Sequence, residues 1–342
     1  MHKSTEQPVV IIPNLNGGTE LLDAVQSLTE QTLQPYIIVV DNASTDDSVE
    51  KLQAKYPKVE LIKQVKNMGY AGGVNPGFRR AFDLQADYAA PFNDDAIADK
   101  HWLRKLVEHL DDNPEVGAAA CKVLKADGIH LDSTEDTYSH WGLPYPRGRN
   151  EVDKGQYDTM GDIFGASGAA SLYRMSALEE VGLLDEDFFA YYEDVDLSFR
   201  LQLAGWKIRY VPESRVYHQI GMTSGRTKGF TTHQTMKNLP LLAFKNVPQP
   251  YLRLVQRRLN IALLLFFGRA VTRGQGGAAL SGYWKYLQLR SKKLKERKHI
   301  QSTKKVSDEY IWSTITHDLP PNATALRKLR ARYWKLTRKR AT

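Results

Sequence analysis

A chain of 342 residues, 42% hydrophobic and 25% charged, with a net charge of +8, can support one large domain with an appendage or two modest domains. Its one cysteine, Cys121, lies in the apolar run from Val116 to Val123, which excludes an intrachain disulfide and fits a small buried side chain in a reducing compartment. The longest uninterrupted apolar segment, Ile261–Phe267, falls far short of the roughly 20 residues of a membrane-spanning helix, and a strand-like Val9-Val10-Ile11-Ile12 leaves no room before it for a signal peptide.

Strand-like runs at Val9–Ile12, Tyr36–Val40, Val59–Ile62, Tyr88–Phe92 and Val116–Ala120 alternate with helical patterns near 19–31, 45–55, 76–86 and 99–112. This alternation predicts an α/β domain with a mostly parallel sheet, whose ligands gather beyond the carboxyl ends of the strands. The first strand leads into Pro13-Asn14-Leu15-Asn16-Gly17-Gly18 and the second into Asp41-Asn42-Ala43-Ser44-Thr45-Asp46-Asp47. Ser44 and Asp47 read as a helix cap. Asp41 either accepts from a base or ribose, or forms an Asx turn. The third strand precedes Asn67-Met68-Gly69-Tyr70-Ala71-Gly72-Gly73-Val74-Asn75-Pro76. Asn75 and Pro76 read as N-cap and first helical residue, and the glycines allow a ligand close to the backbone. The loop lacks the lysine of a phosphate-cradling GxxxxGK[ST] motif, which disfavours a nucleoside triphosphatase. Asn93 and Asp95, one residue apart at the end of the fourth strand, can face one side and hold a hard divalent cation; a turn explains the Asn93-Asp94-Asp95 triplet equally well.

Residues 125–160, rich in Gly, Pro, Asp and aromatics including Tyr138, His140, Trp141 and Tyr145, read as a long loop, either an acceptor-side lid or an irregular excursion. Further on, Phe188-Phe189-Ala190-Tyr191-Tyr192 is followed directly by Glu193, Asp194 and Asp196. These carboxylates either satisfy free N–H groups at a helix start or include a general base at a pocket mouth. Asp196 and Arg200, four apart, read as a helix-surface pair.

Taken with Gly165-Ala166-Ser167-Gly168-Ala169-Ala170, Leu184-Asp185-Glu186-Asp187-Phe188-Phe189 and Val216-Tyr217-His218, these segments, in this order, resemble glycosyltransferase family 2 and its rhamnosyltransferase-like branch over roughly residues 8–220. The resemblance implies inverting enzymes with the GT-A nucleotide-sugar fold. It makes Pro13, Asn14, Asn16, Asp41, Asn67, Gly69, Asn93 and Asp94 donor-binding residues, with Asp41 on the nucleoside. It makes Asp95, with Asn93 and His218, the holder of a divalent metal, Mn2+ or Mg2+, and Asp194 the catalytic base, with Glu193 and Tyr192 on the acceptor side. Asn93 departs from the family's D-x-D by replacing its first Asp. The implied donor is dTDP-rhamnose, or another UDP- or dTDP-sugar in the same frame, and the implied acceptor is a hydroxyl of a glycan or lipid-linked glycan. Rivals from other classes are a sugar-phosphate nucleotidyltransferase, which would need a basic N-terminal loop, and a non-enzymatic polyanion-binding protein, which leaves the acidic motifs unexplained.

The charge is split along the chain: residues 251–342 carry 22 Lys and Arg against 4 Asp and Glu, leaving 25 against 35 in residues 1–250. A catalytic domain over 1–240 followed by a basic helical segment over 241–342 is the expected division. Basic residues interleaved with Leu, Trp, Tyr and Phe at helical spacing suit an anionic membrane interface, which places the protein in the cytoplasm at the inner face of the cell membrane. The alternative is a helical appendage packed on the catalytic body or on a second subunit; no nucleic-acid motif accompanies the charge, which argues against nucleic acid.

Overall fold

Strands and helices alternate from the start of the chain: β1 (Val9–Asn14), α1 (Glu20–Thr29), β2 (Tyr36–Asp41), α2 (Ser48–Lys55), β3 (Glu60–Lys63), α3 (Gly69–Asp83) and β4 (Tyr88–Pro91). The computed structural model describes residues 7–219, 228–321, 323–324, 326–328 and 330–331, so the end of the basic segment, residues 332–342, lies outside the described residues. β1 pairs in parallel with β2 and β4, and β2 with β3. Successive side chains point to opposite faces, so Val10, Ile12 and Val39 enter one core while Val9, Ile11, Ile38 and Val40 enter another. Asn14 and Asp41 stand opposite each other in register, which brings the first two loops to one edge of the sheet.

The second half adds β5 (Ala96–Ala98), α4 (Trp102–Asp112), β6 (Val116–Lys125), β7 (Leu131–Ser133), β8 (Asp136–Tyr138), β9 (Pro144–Pro146), β10 (Gly161–Asp162), β11 (Leu172–Arg174), α5 (Met175–Val181), α6 (Glu193–Leu203) and β12 (Lys207–His218). The main sheet runs β10-β12-β6-β11-β4-β1-β2-β3. β6 and β12 are parallel, but β11 is antiparallel to both β4 and β6, so two parallel blocks are joined through a reversed strand. The sheet is therefore mixed rather than mostly parallel. Among the described residues the helices α7 (Phe230–Asn246), α8 (Gln249–Thr272), α9 (Gly276–Thr303) and α10 (Asp308–Thr314) follow. They share a third core with the α/β body, in which Phe188, Phe199 and Tyr138 meet Leu239, Leu242, Val255 and Leu259.

Four expectations are corrected. The third helix starts at Gly69, with Pro76 inside it. Proline lacks the N–H that would bond the Gly72 carbonyl, and the Gln64 side chain bonds that carbonyl instead at 2.9 Å. Asn75 is thereby freed from capping and bonds the Leu184 carbonyl and the Glu186 carboxylate at 2.9 and 2.8 Å. Ser44 and Asp47 form no cap: Ser44 Oγ accepts from Asn14 and from the Asn16 N–H, both at 3.0 Å, and Asp47 pairs with Lys51. Residues 125–160 are not a wholly irregular loop, since β7, β8 and β9 lie within them and Tyr138 stacks on Phe164 and meets Phe199 edge-on. Asp196 is fully buried, not on the surface, because Arg200, Lys245 and Asn246 all close on it within 2.9 Å.

Candidate active site

The loops at the carboxyl ends of β1 and β2 hold each other. Asn14, buried at the end of β1, donates to Ser44 and Ser48 and accepts from the Gly17 N–H. Asn16 Oδ1 accepts from the N–H groups of Thr45 and Asp46 at 2.7 and 3.2 Å. Asp41 accepts from the N–H of Ser44, three residues on, at 3.0 Å, while Pro13 packs against Gly73. Asn42, which the sequence did not single out, ties this edge to the third loop by accepting from the Met68 N–H and donating to the Gly69 carbonyl.

In that third loop, Asn67 accepts from the Gly69 N–H, and Gly69 has a left-handed backbone with φ of 72°. A Cβ on Gly69 would lie 2.2 Å from the Phe189 carbonyl oxygen. The neighbouring glycines also make room for protein atoms: Gly73 faces Asn42, and Gly77 faces Ile11. This contact seats the loop on the segment that leads to Asp194.

The loop after β4 meets the end of β12. His218 Nε2 lies 3.0 Å from Asp95 Oδ1, and Nδ1 lies 2.9 Å from Asp132 Oδ2. Burial disfavours charge on His218, but the hydrogen bonds to Asp132 and Asp95 outweigh it and raise the imidazole to about 9. Asn93 Nδ2 also lies 3.0 Å from Nε2, while its Oδ1 is buried without a hydrogen-bond partner. Asp94 turns toward the first loop, accepting from the Leu15 N–H; burial and the nearby Asp95 lift it to about 7. One orphaned amide oxygen, one carboxylate and one imidazole anchored by a second carboxylate fit a hard divalent cation such as Mn2+ or Mg2+. Ligation there requires His218 to give up its Nε2 proton.

Asp194 stands in the first turn of α6. Its two oxygens accept from the N–H groups of Gly168 at 3.0 Å and Val195 at 2.8 Å. The next residue, Ala169, accepts through its carbonyl from the Asn93 N–H at 3.0 Å, so residues 168–169 bridge the Asp194 and Asn93–Asp95 segments directly. Tyr70 reaches into the same bridge by donating to the Gly168 carbonyl. Burial and the adjacent Asp194 push Glu193 up to about 8, and burial with Asp194 pushes Asp136 well above the usual carboxylate range. Asp194 thus lies beside two carboxyl groups, Glu193 and Asp136, that burial makes harder to ionise. Tyr192 packs partly into the third core, and burial pushes its phenol up to about 12.

Asp132, Asp136 and Arg149 are the residues that sequence reasoning missed. Arg149 pairs with Asp132 at 2.8 Å, and its charge also reaches Asp136 and Tyr192. Their signal was slight: charged residues within a stretch rich in glycine, proline and aromatics. Elsewhere, Asp185, Asp187 and Glu296 lie close enough together to hold a metal ion, but Lys245 and Lys293 already supply the positive charge there. A surface hollow of about 370 Å³ lined by Ser27, Glu30, Ala98 and Lys100 contains none of the site groups.

The family model described as Glycosyl transferase family 2 matches residues 9–182. The chain is 29% identical over 245 residues to the N-acetylglucosaminyl-diphospho-decaprenol L-rhamnosyltransferase of Mycobacterium tuberculosis, covering 64% of this chain and 78% of that protein. It is 27% identical over 220 residues to the dTDP-rhamnosyl transferase RfbF of Shigella flexneri, covering 64% and 71%. Among solved structures, GalNAc-T7 with UDP, GalNAc and Mn2+ superposes with a TM-score of 0.59 at 16% identity, over 73% of this chain and 49% of that one, so this chain spans about half of its length. The mannosyltransferase PcManGT of Pyrobaculum calidifontis in complex with GDP-Man and Mn2+ superposes at 0.52 and 17% identity, over 91% and 86%. The fold is the GT-A arrangement with a C-terminal helical extension, and the chain belongs to glycosyltransferase family 2.

Proposed function

We propose that this enzyme is a metal-dependent inverting rhamnosyltransferase that moves L-rhamnose from dTDP-rhamnose onto a hydroxyl of a glycan or lipid-linked glycan in bacterial cell-surface polysaccharide synthesis. The observation that carries the reading is the bridge at Gly168 and Ala169, which ties the Asp194 carboxylate to the Asn93–Asp95 segment across one edge of the sheet. The donor is supported by the names of the two rhamnosyltransferase relatives.

In this reading the catalytic unit is residues 1–240, and residues 241–342 form the extension that supports it. Pro13, Asn14, Asn16, Asn67 and Gly69 shape the donor pocket, and Asp41 contacts the nucleoside. Asn93, Asp95 and His218 hold the cation, and Asp94 lines the donor side. A divalent cation bound there supplies positive charge for the departing diphosphate oxygens. Asp194 takes the proton from the acceptor hydroxyl as its oxygen attacks the anomeric carbon from the face opposite the diphosphate. The bond from that carbon to the diphosphate breaks, and configuration inverts. Tyr192 and Glu193 border the acceptor.

Asp194→Asn is expected to fold like the wild type by circular dichroism and to lose over about 100-fold in turnover, read as dTDP release from dTDP-rhamnose with a lipid-linked acceptor. Near-normal turnover would refute the base, and preferential use of another nucleotide sugar would refute the donor.

A further inference from the structure

The α8–α9 hairpin carries large apolar side chains in solvent. Leu264 is 71% exposed, Leu280 60% and Trp284 63%, and Leu265, Val271 and Leu287 accompany them at helical spacing. Arg257, Arg269, Arg273 and Lys285 are exposed among them. The one acidic residue in these two helices, Glu296, is already bonded to Lys293 and Lys245. Among the described residues no helix is long and apolar enough to cross a membrane. An apolar ridge bordered by cations alone has the chemistry of a surface that enters the headgroup region of an anionic bilayer, with leucine and tryptophan in the acyl boundary and arginines on the phosphates. A second copy of this chain suits it less, because self-association across a two-fold axis sets the same cations against one another.

The position of the hairpin relative to the site gives the surface a purpose. The turn between α8 and α9 touches the start of α7: Thr232 bonds Gln275, and Ala278 packs on Gly229. One residue on, the Phe230 ring lies 6.1 Å from both Phe189 and Tyr191, in the segment that leads into Tyr192, Glu193 and Asp194. We infer that the hairpin tip docks on an anionic lipid surface and so sets the Asp194 side of the site against that surface, where a lipid-anchored acceptor hydroxyl would arrive. The acceptor half of this inference rests on the proposed glycosyl transfer; the docking half does not.

The test uses the full chain and its Leu280→Glu/Trp284→Glu variant with equimolar phosphatidylglycerol–phosphatidylcholine vesicles and with pure phosphatidylcholine vesicles. Both altered positions are solvent-exposed, and circular dichroism checks that the fold is kept. Expected are co-sedimentation of the wild type with the anionic vesicles, weakened by salt, and binding at least about tenfold weaker for the variant and for neutral vesicles. Hydrolysis of the sugar nucleotide in the absence of lipid should be the same for both proteins, which separates failure of docking from failure of the chemistry. Equal binding by the variant, or none by the wild type, would overturn the proposal. So would a dimer in light scattering that the variant dissolves, or binding to an RNA duplex that matches vesicle binding and survives the substitutions.

Discussion

Asp132 links two charges with a single carboxylate: one oxygen accepts from His218 Nδ1 and the other pairs with Arg149. Such outer partners fix the orientation of a ligating imidazole and strengthen it as a donor. Asp132→Asn is therefore expected to weaken Mn2+ binding about 10- to 100-fold in a calorimetric titration with the fold intact; an unchanged titration would remove His218 from the metal site. At this scale Asp95, Asp194 and His218 became candidates through the family resemblance, which supplied their roles. Asp132, Asp136 and Arg149 did not, because β7 and β8 are three residues each, too short for an alternation to register.

Among the elements, the turn before α6 is the most constrained. Phe189, Tyr191 and Tyr192 all have left-handed backbones, with φ between 63° and 71°, which costs about 1–3 kcal/mol per residue. α7 holds the turn in place. Asn238 donates to the carbonyls of Phe188, Ala190 and Tyr191, and Lys237 to those of Asp187 and Phe188. Asn238→Ala should lower stability by about 1–3 kcal/mol and, by letting Asp194 shift, reduce kcat by at least about tenfold; retention of full kcat would show that the clamp does not position Asp194 for turnover. α9 is locked to the body by charge. Burial alone would raise Asp185 and Asp196, but Lys245, aided by Lys293 at Asp185 and by Arg200 at Asp196, holds both below the usual carboxylate range. A depressed carboxylate stabilises the fold above its unfolded value of about 3.8 and loses that contribution as pH falls further. The melting temperature should drop steeply below about pH 4, and Lys293→Met should cost about 3–5 kcal/mol at neutral pH; a flat acid profile would show that the cluster adds nothing. Part of the basic segment packs on the body, the alternative that its sequence left open: Lys293 and Arg297 are buried, with Arg297 donating to the carbonyls of Phe244 and Val247.

For the whole molecule, the third core decides how the catalytic unit and the helical extension depend on each other. Phe188, Val195, Phe199 and Leu203 share one core with Val255, Leu259, Ala279 and Tyr286 of α8 and α9, so removal of residues 247–342 would strip away a large part of that core and open the rest to water. That truncation is expected to give aggregated protein in size-exclusion chromatography; a monodisperse, cooperatively melting product would show the catalytic unit to be self-sufficient. The chain by itself determined the strand–helix alternation, the edge where the loops gather and the order of the acidic motifs. Side-chain periodicity and loop chemistry are local properties, readable within ten or so residues. Only the tertiary structure decided that β11 reverses, that Asp132 and Arg149 reach His218, that Asn238 clamps the turn before Asp194, and which lysines are buried. Each of those depends on atoms far apart in sequence meeting within hydrogen-bond distance, and composition and spacing carry no record of such meetings.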